Sequence, residues 1–355
     1  MTVERIATLE EFERIRGPYE GLYRKDPSRG VFVSWEWLRS YFAAMRGRWT
    51  VLAVARDARY VGFCVLVESG LAVGPLRLYR ELALGAYPTA DYGALIAEEG
   101  EDILEEIACA IDAMPWDLFR ACNVRDPRVG HVVAHLRSLG NGISEEPRNS
   151  CRFVPLPASW EEYAARNRSG DKRYVNRRRN LWREASLVEA DATTVDEYID
   201  TLLRMHHRRW RSNLHKARRT YGKLFREAYE RGCCRIAVLW SADRRPLAAQ
   251  AAFVDAERRS WGVYMLAYDR LAGKGSPGIG MLAKGLERAI DQGFAEYDFL
   301  RGDEPYKARF GTQVRLLENY VARRTSARSA AKERAWRAAL HVKSILRRVL
   351  FGRTL

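Results

Sequence analysis

The sequence contains no apolar run approaching the ~20 residues that a bilayer-spanning helix needs, so no membrane-spanning helix is expected. Cysteine is sparse. Cys64, Cys109, Cys122, Cys151, Cys233 and Cys234 show no CxxC spacing, and adjacent residues such as Cys233 and Cys234 are badly placed to bond to each other. Most lie in apolar runs such as residues 62–67, where cysteine behaves as a small hydrophobe. Reduced core thiols are therefore expected, with neither a disulfide framework nor a thiolate metal cage. Histidine is scarce too, six residues in 355. The one adjacent pair, His206 and His207, has no cysteine or carboxylate set at ligand spacing, so no metal is expected. The first fifteen residues have neither a basic start nor an apolar h-region, which argues against a secretion signal and for a cytosolic protein.

A length of 355 residues fits two domains of ordinary size, and 47% hydrophobic with 30% charged residues leaves room for real cores. The net charge of +15 is unevenly spread. One concentration covers residues 166–183, broken only by Asp171. The other runs from Arg323 to the end, where ten basic residues face one acid, Glu333. Such an excess favours anionic partners: CoA phosphates, nucleotide sugars, tRNA or the inner membrane surface. Solvated helix faces are the plain alternative for both stretches.

Periodicity divides the chain into two similar halves. In the first, residues 50–57 and 60–69 form a hairpin, 76–84 a third strand, 101–113 a helix, 116–124 a short strand and 129–139 a helix. In the second, 235–240 and 246–255 form a hairpin, 261–269 a third strand, 278–292 a helix and 297–301 a short strand. Trp116–Arg120 aligns with Tyr297–Arg301 at a nearly constant offset. A period this long points to a duplicated domain, each copy a mainly antiparallel sheet flanked by helices. Helices are expected between the halves at 160–167, 172–185, 195–211 and 221–231, with Pro155 and Pro157 at the boundary. A last helix is expected at 330–350, with Trp336, Leu340, Ile345, Leu346, Val349 and Leu350 along one side.

The halves differ most between the third strand and the helix. In the second half, Gly273, Gly275, Gly278 and Gly280 crowd around Ser276-Pro277. Glycine there admits positive φ and close approach of a bulky anion, and Pro277 suits the first turn of a helix. The open N–H groups and the macrodipole at that helix start make an anion site, to which Lys274 adds a cation. The first half has no comparable loop, so a phosphate-bearing cofactor is expected in the second.

Residues 297–311 resemble the closing signature of a GNAT branch, the cellulose-biosynthesis-type acetyltransferases, related to the Fem-type aminoacyl transferases. The matching pieces are Ser276-Pro277-Gly278, Ala289 and Gly293, Asp298-Phe299-Leu300, Gly302-Asp303 and Tyr306-Lys307. Upstream, Met205-His206-His207-Arg208-Arg209-Trp210 matches the family's "lH..RW" element, and Gln250–Phe253 its QAAF. The likeness covers residues 160–320; the front half resembles only by architecture. It implies an acyl donor at Lys274, Gly275, Ser276, Pro277, Gly278, Ile279 and Gly280, and direct transfer to an amine or hydroxyl. The loop departs from the usual GNAT form with Gln or Arg and two glycines, so acyl-CoA leads and an aminoacyl-tRNA stands second.

Direct attack on an acyl carbonyl needs a base near the nucleophile and a donor for the leaving group. Candidate bases are Asp303, Glu304, Asp298 and His206 or His207. Tyr306 is a candidate donor to the leaving group, and Lys307 a candidate holder of phosphate or carboxylate. Each has a structural alternative: Asp298 bonding backbone, Asp303 shaping a turn, His206 packing in a helix face.

The expectation is an α/β (α+β) protein of tandem GNAT-like domains. These are residues 1–155 (the acceptor side), residues 156–325 (the acyltransferase) and a basic amphipathic helix at 326–355. It would transfer an acyl group from acyl-CoA to a sugar, lipid-linked or amino-acid-like acceptor, without a metal. Two alternatives stand beside it. One is a tRNA-dependent Fem-type transferase. The other is a non-catalytic scaffold resting on anionic membrane through the terminal helix at the inner membrane face.

Overall fold

Local turn chemistry sets the first elements. The structure is a computed structural model and describes residues 1–45, 47–73, 76–166, 173–272, 275–326, 329–336 and 338. Strand β1 (Thr2–Ile6) leads into α1 (Leu9–Arg14) through a capping box: the Thr8 hydroxyl accepts the Glu11 N–H at 3.2 Å, and the Glu11 carboxylate accepts the Thr8 N–H at 3.0 Å. Helices α2 (Arg16–Lys25) and α3 (Trp35–Ala44) follow. β2 (Arg48–Arg56) and β3 (Arg59–Val73) form the expected hairpin, closed by Asp57 and Ala58 at φ 50° and 60°, as a type I′ turn requires. The chain continues through β4 (Leu76–Leu84), β5 (Ile96–Ala97), α4 (Glu101–Asp112), β6 (Leu118–Val124), α5 (Arg128–Ser138) and β7 (Gly142–Pro155).

The second half then runs α6 (Trp160–Arg166), α7 (Arg173–Leu181), β8 (Ser186–Glu189), α8 (Val195–Trp210), α9 (Leu214–Ala217) and, after a π-helical turn, α10 (Lys223–Glu230). It ends with β9 (Cys234–Trp240), β10 (Pro246–Asp255), β11 (Ser260–Tyr268), α11 (Pro277–Asp291), β12 (Glu296–Arg301), α12 (Pro305–Ala308) and β13 (Gln313–Arg323). The helices expected at 160–167, 172–185, 195–211 and 278–292 are present within a few residues, whereas β1, β7, β8 and β13 had not been anticipated.

The chain separates into two compact units that are not contiguous in sequence. One comprises Met1–Leu38, Arg46–Asn149 and Leu317–Leu355; the other comprises Arg39–Met45 and Ser150–Leu316. The expected cut lies at 155/156, whereas the division between these two units is discontinuous, falling between residues 149 and 150 and again between 316 and 317. Its cause is strand pairing. In the first unit the order is β1-β2-β3-β4-β6, and the strand beside β6 is residues 317–323 of β13, with Val321 opposite Arg120. In the second the order is β8-β9-β10-β11-β12, and the strand beside β12 is residues 150–155 of β7, with Tyr297 opposite Val154.

Among the described residues, each unit contains one parallel pair of strands, held at only three positions. β4 and β6 pair at Glu81–Leu118, Leu82–Phe119 and Ala83–Arg120, and β11 and β12 at Ser260–Glu296, Trp261–Tyr297 and Gly262–Asp298. Both β6 and β12 then bulge at a residue with left-handed backbone, Asn123 (φ 58°) and Leu300 (φ 55°). The bulges make Asn123 the counterpart of Leu300, so the alignment of Trp116–Arg120 with Tyr297–Arg301 is out of register although the duplicated element order holds.

In the second unit, strand alternation sends Ala252, Val254, Trp261 and Val263 against Ile279, Leu282, Ala283 and Leu286 of α11. Phe253 and Tyr264 face the opposite way and pack on Phe225 of α10, with ring centroids 6.0 Å away in each case. A bulge opposite Ala251/Ala252 reverses the parity of β11, turning Leu266 and Tyr268 toward Met281 on the α11 side. That reversal brings Tyr268 to the start of α11.

The first unit packs α4 and α5 on its sheet through Ile103, Ile107, Val132 and Leu136. The described start of the C-terminal segment docks here. Ser329 and Lys332 bond the buried Asp117 at 3.0 Å each, and the Trp336 ring stacks on Tyr79 with centroids 5.8 Å apart. Trp336 therefore packs on protein, which corrects its place in the proposed membrane-facing stripe. Leu340, Ile345, Leu346, Val349 and Leu350 lie outside the described residues. Among the described residues no helix is long and apolar enough to cross a membrane.

Candidate functional site

Where β11 and β12 part, a cavity of about 470 Å³ opens. Val263, Leu266 and Tyr268 of β11 and Phe299 and Arg301 of β12 form two walls, and Ser276, Gly278, Ile279 and Leu282 at the start of α11 a third. Tyr174, Arg209, Trp210, Tyr264, Glu304, Tyr306 and Lys307 complete the described lining. The geometry follows from the sequence. Three paired positions hold the strands together, and the bulge at Leu300 then turns β12 away. Asp298 fixes that bulge: one carboxylate oxygen accepts the Leu300 N–H at 2.6 Å, and the other lies 3.3 Å from the Arg315 guanidinium. Arg315 also pairs with Glu296 and stacks 3.6 Å over the Phe153 ring.

Lys307 anchors the next turn. Its residue is only 2% exposed, and its ammonium donates to the carbonyls of Leu300, Arg301 and Gly302 at 3.4, 3.1 and 3.1 Å and meets Glu304 at 2.7 Å. These bonds tie the bulge to α12, where Pro305 occupies the first turn, and they set Tyr306 in the cavity wall. Burial, with the nearby Glu304 carboxylate, pushes the Tyr306 phenol well above its ordinary range, so it stays protonated at neutral pH.

Arg209 stacks on two rings of the lining. Its guanidinium lies 4.5 Å from the Tyr268 ring centroid and 4.8 Å from that of Trp210. With Arg301 and Lys307 against Glu304, the lining carries an excess of positive charge.

The structure brings Ser276, Gly278, Ile279, Tyr306 and Lys307 together in this cavity, and it separates others from it. Lys307 is turned onto backbone carbonyls, so its expected role as a holder of phosphate is corrected to that of a tether. Asp298 is buried beneath the bulge and likewise outside the lining. Asp303 is ion-paired with Arg152, and His206 sits in α8 with Nδ1 3.3 Å from the Ser212 hydroxyl. Neither lines the cavity. Pro277 starts α11, and Ser276, at φ 47°, precedes it without a side-chain cap bond. Gly275 takes φ 131°.

The space at Gly280 is already used: a Cβ there would stand 2.3 Å from the Trp182 ring, so the glycine admits an aromatic ring where an anion had been expected. Gly278 similarly admits Tyr268 at 2.6 Å. Lys274 and Gly273 lie outside the described residues. Sequence reasoning passed over Tyr268 and Arg301 and gave Arg209-Trp210 no role, although that pair belongs to the "RW" motif. Among the described residues no group of three or more His, Cys, Asp or Glu is placed to hold a metal.

Compared with known proteins, residues 169–308 match the family model described as Acetyltransferase (GNAT) domain. No curated protein matches by sequence. Among solved structures, FemX superposes with a TM-score of 0.62 at 12% identity, over 90% of this chain and 97% of that one. A tandem GNAT protein from the clavulanic acid biosynthesis pathway gives 0.54 at 12%, over 91% and 98%. The C-terminal domain of a putative lysylphosphatidylglycerol synthetase from Agrobacterium fabrum gives 0.54 at 9%, over 90% and 95%. The fold is thus shared with tandem GNAT proteins along nearly the whole chain, and the matched stretch is an acyltransferase domain.

Proposed function

We propose that the second unit transfers an acyl group from acyl-CoA to an amine or hydroxyl, on a sugar, lipid-linked or amino-acid-like acceptor. The observation that carries this reading is the convergence, in one cavity, of the parted strands β11 and β12, the start of α11 and the protonated phenol of Tyr306. Parted strands leave backbone N–H and C=O groups facing the gap, which suits an amide-bearing, extended ligand. The start of α11 offers its positive dipole to a pyrophosphate, and Arg209 and Arg301 add charge. A thioester donor would supply an activated acyl carbon. The acceptor's attack forms a C–N or C–O bond as the C–S bond breaks. Glu304, in the lining and more than half exposed, is the base positioned to take the acceptor's proton. Tyr306 is the donor positioned for the leaving sulfur. The closing signature keeps the cellulose-biosynthesis-type branch as the proposed relation.

A Fem-type, tRNA-dependent reaction is the second reading. It is favoured by the likeness to FemX and by the basic stretch at 166–183, although residues 167–172 lie outside the described part. Within that stretch Arg179 is already spent on Glu287 at 3.0 Å and on the Trp160 face. Loss of transfer on ribonuclease treatment would select this reading.

The deciding test is thermal unfolding with CoA, acetyl-CoA and longer acyl-CoAs, on wild type and Ser276→Glu. A ligand at a hundred times its Kd stabilises by ~2.7 kcal/mol. A carboxylate at a helix start favours the helix by about 0.3–1 kcal/mol but repels a pyrophosphate. Ser276→Glu should therefore fold as well as wild type and lose the CoA-dependent rise. Absence of any rise in wild type would overturn the CoA reading and transfer the question to charged tRNA.

A further inference from the structure

A second cleft, of about 640 Å³, adjoins the first. Tyr268 and Arg209 line both, so the stacked guanidinium and ring form the partition between them. Three more arginines rim the second cleft: Arg208 from α8, Arg245 before β10 and Arg270 after β11. Arg208 and Arg270 pair with no carboxylate among the described residues. Arg245 meets Asp243 at 3.1 Å, but both side chains are more than two-thirds exposed, where such a pair is worth little. Among the described lining residues the one carboxylate, Asp269, accepts the Leu271 N–H at 2.9 Å. Between the arginines the surface is apolar: Met205 and Leu247 are buried at its base, and Leu271 stands 92% exposed at its edge.

Four guanidinium groups around an apolar floor complement an anionic head joined to an apolar body. We infer that this cleft binds the acceptor by such a part, a phosphate or carboxylate carried on an apolar chain or ring. The inference rests on the acyltransfer reading: it makes the acceptor an anionic amphiphile whose reactive amine or hydroxyl passes the Arg209–Tyr268 partition into the donor cavity. The same chemistry is found in a soluble phosphorylated molecule and in an anionic lipid.

The test uses octyl phosphate as probe, octyl glucoside as its neutral counterpart and inorganic phosphate as its tailless one, titrated calorimetrically. The proteins are wild type and Arg245→Glu/Arg270→Glu. Octyl phosphate should bind wild type, both controls should bind far more weakly, and the double variant should lose about ten- to a hundredfold in affinity. Saturating acetyl-CoA should leave octyl phosphate bound. Equal binding of octyl glucoside, unchanged affinity in the double variant, or expulsion by acetyl-CoA would each overturn the assignment; expulsion would give the cleft to the donor.

The acetyl-CoA thermal shift, run on both proteins, tests the fold and the donor reading separately. If wild type shows no CoA shift yet binds octyl phosphate through these arginines, the cleft stands as an anionic-amphiphile site and the CoA reading fails. Flotation with phosphatidylglycerol vesicles separates the sources. Flotation lost in the double variant identifies a lipid-borne acceptor; octyl phosphate binding without flotation identifies a soluble one.

Discussion

Replacing Lys307 by methionine separates the two roles this side chain could have. Methionine keeps the length and most of the volume but removes the ammonium from the carbonyls of Leu300, Arg301 and Gly302 and from Glu304. Each charge-assisted bond to a buried carbonyl contributes on the order of 1.5–3 kcal/mol, and less where water can replace it. The Leu300 bond is buried but long, 3.4 Å, and the other two are partly buried. Glu304 is more than half exposed and regains water. Removing the ammonium also recovers part of its own burial cost. The net loss works out at roughly 2–4 kcal/mol, or about 5–15 °C in melting temperature for units of this size. The assay is a thermal melt with and without acetyl-CoA, run beside steady-state transfer. Lys307→Met should melt early and lose donor affinity together with rate, because the turn that aims Tyr306 slackens. A variant that melts within about 1 °C of wild type while kcat falls by about a thousandfold would show that the ammonium acts on the reaction, and the tether would be refuted.

Two other substitutions probe single groups. Tyr306→Phe should lower kcat by about a hundredfold or more, as for loss of a general acid, with the donor's Kd unchanged by calorimetry; unchanged kcat removes the phenol from the chemistry. His206 is held below its ordinary pKa of 6.5, first by burial and then by Arg209 and His207. A lowered folded value means that the unfolded chain takes up the proton first, so stability falls as pH drops from about 6.5 toward that folded value and levels off below it. Denaturant midpoints between pH 7 and 5 should fall less in His206→Gln than in wild type, and parallel curves would deny the linkage.

The parts of the fold that announced themselves were those decided locally. The β2–β3 hairpin, α8 and α11 each carry an apolar period and a chemical stop or start of their own, such as Pro277 at the head of α11. Strand β7 lacks this. Its sequence is mostly polar, interrupted by Pro147, and its residues are largely exposed or half-buried. It is a strand because β12 and β13 offer it hydrogen bonds, a long-range condition that no window of sequence contains. The discontinuous units follow from the same pairing, which is why a cut near Pro155 looked natural. The site shows a similar limit. Tyr306-Lys307 was legible as a motif, but adjacent residues on a helical turn point about 100° apart. The sequence therefore could not say that one faces the cavity while the other holds the turn. Tyr268 went unremarked because its role depends on the parity reversal in β11.

The contrast between the units explains where the cavity between β11 and β12 lies. Both contain a parallel pair that separates after three positions, and open backbone edges must be satisfied by chain, water or ligand. In the first unit the chain fills its own gap. Between β4 and α4 it inserts residues 85–100, so that the Gly93 N–H bonds the Asn123 carbonyl at 2.8 Å and the Gly93 carbonyl accepts from Arg125 at 3.3 Å. The Leu95 N–H then reaches Asp126 at 3.0 Å before β5 joins β3. In the second unit only residues 269–276 separate β11 from α11, too few to re-enter the sheet, and the helix start falls at the opening instead. A long insert occupies the cleft and carries the helix start away from it; a short glycine-rich one leaves the cleft open and aims the helix dipole at it. The length of that connection, readable in the sequence, is therefore what favours the second unit as the site of the proposed donor.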